Sequence, residues 1–158
     1  MGKYIFDTNC FYQIKFEHLD KLNLDNNKYF VSLAQYIELK NKKIDASFSK
    51  ERKERVLKTF FILDKEKLPS ESFFLGDLVA GVLGNSKLGT RDIYQDFKKE
   101  LDNKKLEKNN HIDSLLVEIA VSNEIIFVTN EKKIISIMTK YYPSLIISLS
   151  EFKKMYLK

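Results

Sequence analysis

The sequence predicts an α/β fold, a three-layer α/β/α arrangement around a central, mostly parallel sheet of four to five strands, with an additional helical segment in the middle of the chain. Three observations predict it. Short aromatic or β-branched runs alternate along the chain with longer segments of helical periodicity. That spacing suits right-handed crossovers between parallel strands. The first and the clearest of the short runs both stop abruptly at polar residues, Asp7-Thr8-Asn9 and Thr129-Asn130-Glu131. With 158 residues, 44% hydrophobic and 31% charged, the chain has enough apolar surface for one core, so 1–158 is read as a single domain.

Composition narrows the function classes. The formal charge of +5 mildly favours a polyanionic partner, although Lys-, Ile- and Asn-rich usage can also reflect genome composition. A single cysteine, Cys10, excludes an internal disulfide framework, and two histidines leave little for a zinc site. The N-terminus enters a run too short for a signal sequence, and no stretch approaches the roughly 20 apolar residues of a membrane span. The expectation is a soluble, cytoplasmic protein.

Lys3-Tyr4-Ile5-Phe6 reads as a buried strand ending at Asp7. Two readings of Asp7 stand side by side. Asp7, Thr8 and Asn9 can cap a following helix, or Asp7 can be a ligand, because sites in open parallel sheets lie beyond the carboxyl ends of the strands. Tyr12, Phe16 and Leu19 then recur at helical spacing. Tyr29-Phe30-Val31-Ser32 is a second strand, after which Ser32 caps a helix over 33–39 carrying Leu33, Tyr36 and Ile37. Glu38 lies at the margin of its apolar face, either as a solvated helix glutamate or as a site residue.

From 40 to 58 the chain is dense in Lys and Arg before Val56, Phe60, Phe61 and Leu63 add an apolar face. The pattern predicts one long amphipathic helix with a basic side, ending at Leu68-Pro69. A charge run of this kind is commonly a solvated face. Its functional alternative is a phosphate-tracking surface, with Lys42, Lys43, Arg52 and Lys53 as candidate nucleic-acid contacts beside Phe48. Ser72-Phe73-Phe74-Leu75 reads as a third strand or a buried helix start. Gly84-Asn85-Ser86-Lys87-Leu88-Gly89-Thr90 has two glycines at phosphate-loop spacing but lacks the lysine after the second, which excludes that loop. A polar amphipathic helix over 91–106 follows.

In Asn110-His111-Ile112-Asp113-Ser114-Leu115-Leu116, continuing to Val121, Asp113 falls in line with Leu116, Val117, Ala120 and Val121 and so points largely inward. A buried carboxylate needs a cation, donors or a proton. The alternative is an Asp placed in the first turn for the helix dipole alone. Ile125-Ile126-Phe127-Val128 is the cleanest strand and leads to Glu131. A helix to about Tyr141, a break at Pro143, a strand at Leu145-Ile146-Ile147 and a capping box at Ser148-Leu149-Ser150-Glu151 complete the chain.

Asp7 and Glu131 thus follow strands, and Glu38 and Asp113 lie on helices turned toward the core. Parallel strands bring both strand ends to one edge. Four converging carboxylates repel, and an all-oxygen set selects a hard divalent cation, Mg²⁺ or Mn²⁺, over zinc.

The ordered set Ile5-Phe6-Asp7-Thr8-Asn9, Ser32 through Glu38-Leu39, His111-Ile112-Asp113-Ser114-Leu115 and Phe127-Val128-Thr129-Asn130-Glu131 resembles the PIN-domain ribonucleases, and among them the toxin nucleases of toxin–antitoxin pairs. The resemblance implies Asp7, Glu38 and Asp113 as the main acidic, metal-binding and catalytic positions and Glu131 as the fourth. Thr8 and Asn9 would orient Asp7, and Thr129 would support the far wall. Glu131 stands where the family more often carries Asp, and 69–110 is longer than a minimal toxin needs. The implied activity is metal-dependent hydrolysis of RNA leaving a 5′-phosphate. Its implied partners are an antitoxin protein and a second copy in a homodimer. A silent RNA- or protein-binding module and a DNA-directed nuclease are the competing readings.

Overall fold

The computed structural model describes residues 2–14, 16–22, 26–45, 47–64, 71–73, 86–88, 91–102 and 110–156. In chain order, strand β1 is Lys3–Phe6, β2 is Lys28–Phe30, helix α1 is Leu33–Asn41 and α2 is Lys50–Leu63. A short pair follows, β3 (Glu71–Phe73) and β4 (Ser86–Leu88), then α3 (Arg91–Asp102) and α4 (Asn110–Ser122). The chain continues through β5 (Ile126–Thr129), α5 (Lys132–Tyr141), β6 (Ile146–Ser148) and α6 (Leu149–Tyr156).

The main sheet has four strands in the order β2-β1-β5-β6, every neighbouring pair parallel. β3 and β4 form a separate parallel pair. Strand alternation sorts the core into two halves. Tyr4, Phe6, Tyr29 and Val128 face one side, where they pack with Leu39, Val56, Phe60, Leu63, Leu149 and Phe152 of α1, α2 and α6. Ile5, Phe30 and Phe127 face the other, against Phe97, Leu101, Leu116, Ile119, Ile134 and Met138 of α3, α4 and α5. Helices therefore cover both faces, which an all-parallel sheet requires. No helix among the described residues is long and apolar enough to cross a membrane.

Local chemistry explains where elements start and stop. Ser32 and Gln35 form a complete capping box on α1, and Gln35 Nε2 also donates to the Phe6 carbonyl at 2.5 Å. Ser148 and Glu151 exchange the reciprocal bonds expected for the start of α6. At the end of α4 the Ile125 N–H reaches Ala120 O at 2.8 Å and the Glu124 N–H reaches Val121 O at 3.3 Å. This is a Schellman closure with Glu124 at φ 54°.

Several expectations are corrected. The segment after β1 is two 3₁₀ helices, Thr8–Tyr12 and Phe16–Lys21, rather than an α-helix. Three apolar residues spaced three to four apart do not separate 3.0 from 3.6 residues per turn. The long basic helix is interrupted. α1 ends at Asn41 and α2 starts at Lys50, because the Asp45 carboxylate accepts the Ser47 N–H, the Ser47 hydroxyl and the Phe48 N–H. Such a side-chain turn competes with helix continuation, and Ser49 then recaps the chain at Arg52 N. α2 stops at Leu63, so Leu68-Pro69 does not set its end; that dipeptide lies outside the described residues. The third strand is Glu71–Phe73, with 74 and 75 outside the described residues. In the rejected phosphate loop Ser86–Leu88 is β4 and the rest lies outside them. The 91–106 helix is described to Asp102.

Candidate functional site

The chain passes from β1 outward to β2, then returns to place β5 on the opposite side of β1 and β6 beyond it. The β1/β5 boundary is therefore the topological switch point, where neighbouring crossovers diverge and leave a crevice at the carboxyl edge. Asp7 follows β1 at this point and Asn130 and Glu131 follow β5. A cavity of about 540 Å³ opens there, lined by Asp7, Asn9, Tyr12, Gln13, Lys42, Ser47, Phe48, Arg52, Asn130 and Glu131.

Asp7 is 1% exposed. Its N–H continues the ladder to Val128 O at 2.8 Å, its Oδ1 accepts the Asn9 N–H at 3.1 Å, and its Oδ2 accepts the Thr129 hydroxyl at 2.5 Å. Asp7 is thus the cap of the first 3₁₀ helix and a cavity-lining carboxylate at once. An ionised carboxylate offers about four lone-pair directions, and these two bonds leave capacity for a further ligand. Burial pushes its carboxyl above the ordinary value of 3.8, against the bonds from Thr129 and Asn9.

Thr129 is fully buried and serves both sides of the crevice, because its Oγ1 also accepts the Glu131 N–H at 3.0 Å. Glu131 caps α5 by position but its side chain makes no capping bond. Asn130 Nδ2 donates to Gln13 Oε1 at 2.9 Å and ties the β5 end to the loop after the first 3₁₀ helix.

Glu38 is half-buried, and desolvation raises its carboxyl above 4.5; the Asp7 charge raises it further, while Thr8 and Lys42 oppose the shift. Glu38 therefore senses the Asp7 charge. Thr8 lies near enough to favour ionised Glu38, yet among the described residues its buried Oγ1 has no partner at hydrogen-bonding geometry. Asn9 orients Asp7 through its backbone, whereas Thr8 stands beside Glu38 instead. Asp113, in the first turn of α4, is half-buried. α4 feeds β5 through a short turn, so the two run antiparallel and the Asp113 end of the helix lies toward the carboxyl edge of the sheet. Among the described residues, no three Asp, Glu, His or Cys side chains are grouped closely enough to hold an ion together.

The basic candidates separate. Lys42 and Arg52 line the cavity. Lys43 is exposed outside its lining. The Lys53 ammonium donates to the carbonyls of Lys40 at 2.5 Å and Lys42 at 2.8 Å, which fixes the end of α1. Cys10 is buried, with its thiol donating to Val128 O at 3.3 Å, and burial together with the Asp7 charge pushes the thiol well up, which suits a core residue rather than a nucleophile.

Sequence reasoning placed Tyr12 on an apolar helical stripe and gave Gln13, Ser47 and Asn130 no role. Gln35 was legible as the third residue after Ser32 in a capping box. Its bond to Phe6 O, which ties α1 beside Asp7, required the fold.

The fold and site define a parallel α/β protein, covered by helices on both faces, with a carboxylate-lined cleft at its switch point. Comparison of the chain with protein-family models, curated proteins and solved structures found no match.

Proposed function

We propose that this chain is a PIN-like, divalent-metal-dependent endoribonuclease, acting in the cytoplasm as the toxin of a toxin–antitoxin pair, with an antitoxin partner and a homodimeric state as further parts of the proposal. The observation that carries the reading is buried Asp7 lining the switch-point cavity together with Glu131, with half-buried Glu38 near enough that the Asp7 charge raises its carboxyl. Two desolvated carboxylates, one raised by the charge of the other, beside a buried Thr8 hydroxyl with no hydrogen-bond partner among the described residues, suit a hard cation. Mg²⁺ needs only one or two carboxylates when waters and substrate phosphate complete its shell.

Asp7 and Glu38 would hold the ion, with Asp113 approaching from the start of α4. Bound there, Mg²⁺ or Mn²⁺ supplies Lewis-acid polarisation of the phosphoryl oxygen and a more acidic water. Thr129 fixes the Asp7 carboxylate, and Glu131 would orient a water at the far wall. Lys42 and Arg52 would hold the RNA phosphates.

The test is Asp7→Asn, assayed for RNA cleavage in Mg²⁺ and Mn²⁺ and for Mn²⁺ binding by calorimetry. Cleavage is expected to fall by about a hundredfold or more, since even residues that only support metal ligands commonly cost about 10–100-fold. A folded Asp7→Asn protein that cleaves at the parent rate overturns the reading. The absence of a three-acid group among the described residues favours a second reading, a silent RNA- or protein-binding module. RNA affinity that survives chelation, with no Mg²⁺ or Mn²⁺ uptake, would select it. Matched RNA and DNA strands distinguish the two nucleic acids as substrates.

A further inference from the structure

Lining the same cavity as Asp7 is a group of different chemistry. The Tyr12 and Phe48 rings meet edge to face at 5.4 Å. The Arg52 guanidinium lies 5.9 Å from the centroid of each ring. Arg52 Nη1 donates to the Ser47 carbonyl at 3.1 Å, so the guanidinium is steered by a backbone acceptor and two aromatic faces, with donors to spare. Neither Arg52 nor Lys42 makes an ion pair among the described residues, although both line the same cavity as Asp7. Phe48 is buried and fixes the edge of Tyr12, whose ring is half-buried and borders the cavity.

We propose that Tyr12, Phe48 and Arg52 form a nucleotide shelf, on which one unpaired base stacks against Tyr12 while its neighbouring phosphate is held by Arg52 and Lys42. The proposal rests on the nuclease reading for the identity of the strand as RNA. Three features favour a single strand as the occupant. The aromatic surface offers stacking, which needs no particular base. Arg52 and Lys42, which make no ion pair within salt-bridge distance among the described residues, complement phosphate. A cavity of about 540 Å³ is within the roughly 300–1,000 Å³ of small-ligand pockets, a size for a splayed nucleotide rather than a duplex, whose bases are already stacked and paired. The shelf assigns separate tasks within one cleft. The strand-end acids would act on the phosphodiester, and the shelf would set which strand segment reaches them.

The test is binding of a short fluorescent RNA strand, a matched duplex and a strand with one abasic position, by anisotropy in chelator so that no cleavage intervenes. Tyr12→Leu is expected to weaken single-strand binding about five- to a hundredfold, the usual range for loss of one stacked base. Tyr12→Phe should bind like the parent, and the abasic strand should be insensitive to Tyr12→Leu at one register. Arg52→Gln, at an exposed position, should lower the salt dependence by about 0.7 in log K against log salt, the contribution of one phosphate on a single strand. Unchanged single-strand affinity in folded Tyr12→Leu, or equal loss of duplex and single-strand binding, overturns the shelf. Should Tyr12→Leu not fold, an unchanged salt slope in Arg52→Gln overturns it instead. Because binding is read without metal, failure of the shelf leaves the Asp7→Asn cleavage result standing, and a cleaving Asp7→Asn protein leaves the shelf result standing.

Discussion

The two walls of the cleft are built in opposite ways. The acidic wall grows from the ends of two core strands, with Asp7 and Thr129 buried and bonded to each other. The basic wall grows from the connection between two helices, with Lys42, Ser47 and Arg52 exposed. Its shape comes from the Asp45 turn, the Ser49 cap and the Lys53 bonds to the Lys40 and Lys42 carbonyls. The first wall inherits its geometry from sheet register, so a change there disturbs both fold and chemistry. The second is held by local polar contacts near solvent, which individually contribute little to stability. Under the proposed function, the contrast would separate reaction from recognition.

The strongest way to break the acidic wall without touching a carboxylate is Thr129→Val. It removes the donor to Asp7 Oδ2 and the acceptor of the Glu131 N–H. Unfolding by denaturant should show a loss of about 1–3 kcal/mol, and RNA cleavage should drop about 10–100-fold. Unchanged values for both would mean that the buried hydroxyl does not hold the wall.

A subtler probe is pH. Burial raises the folded carboxyls of Asp7 and Glu38 above 3.8 and 4.5, so the folded chain binds these protons more tightly than the unfolded chain. Their stabilising contribution is fully present below the unfolded values and is lost as pH rises through the raised ones. In chelator, the melting temperature of Asp7→Asn relative to the parent should therefore climb as pH increases from about 4. Added Mg²⁺ should shrink that gap by stabilising the parent. A gap independent of pH would show that Asp7 carries no desolvation penalty.

The smallest effect belongs to the basic wall. Lys53→Met should cost about 0.3–1 kcal/mol through lost contacts at the α1 C-terminus. The salt slope of RNA binding should stay unchanged, because its ammonium is engaged by Lys40 and Lys42 carbonyls. A reduced slope would move Lys53 into the phosphate-binding set.

Much of the architecture was legible because its causes are local. Strand periodicity around Ile5 and Phe127 announced buried strands, and the Ser148–Glu151 box announced α6. The interruption of the basic helix was less visible. Asp45-Ala46-Ser47 carries turn chemistry, but the surrounding charge density matched an exposed helix equally well. Asp7 illustrates the limit for the site. Its position after a strand offered cap or ligand as alternatives, and the fold makes it a cap while lining a cavity with the same carboxylate.

By itself the sequence determined the alternation of strands and helices, the parallel α/β class and the placing of acids at strand ends, because these depend on periodicity and capping over a few residues. Only the tertiary structure decided that β5 lies beside β1, that Thr129 bonds Asp7 across 122 positions of chain, and that Tyr12 and Arg52 share the cavity with those acids. Those contacts depend on which strands pair and which loop folds over the edge. Burial of the whole core decides that pairing, and no short window of sequence contains it.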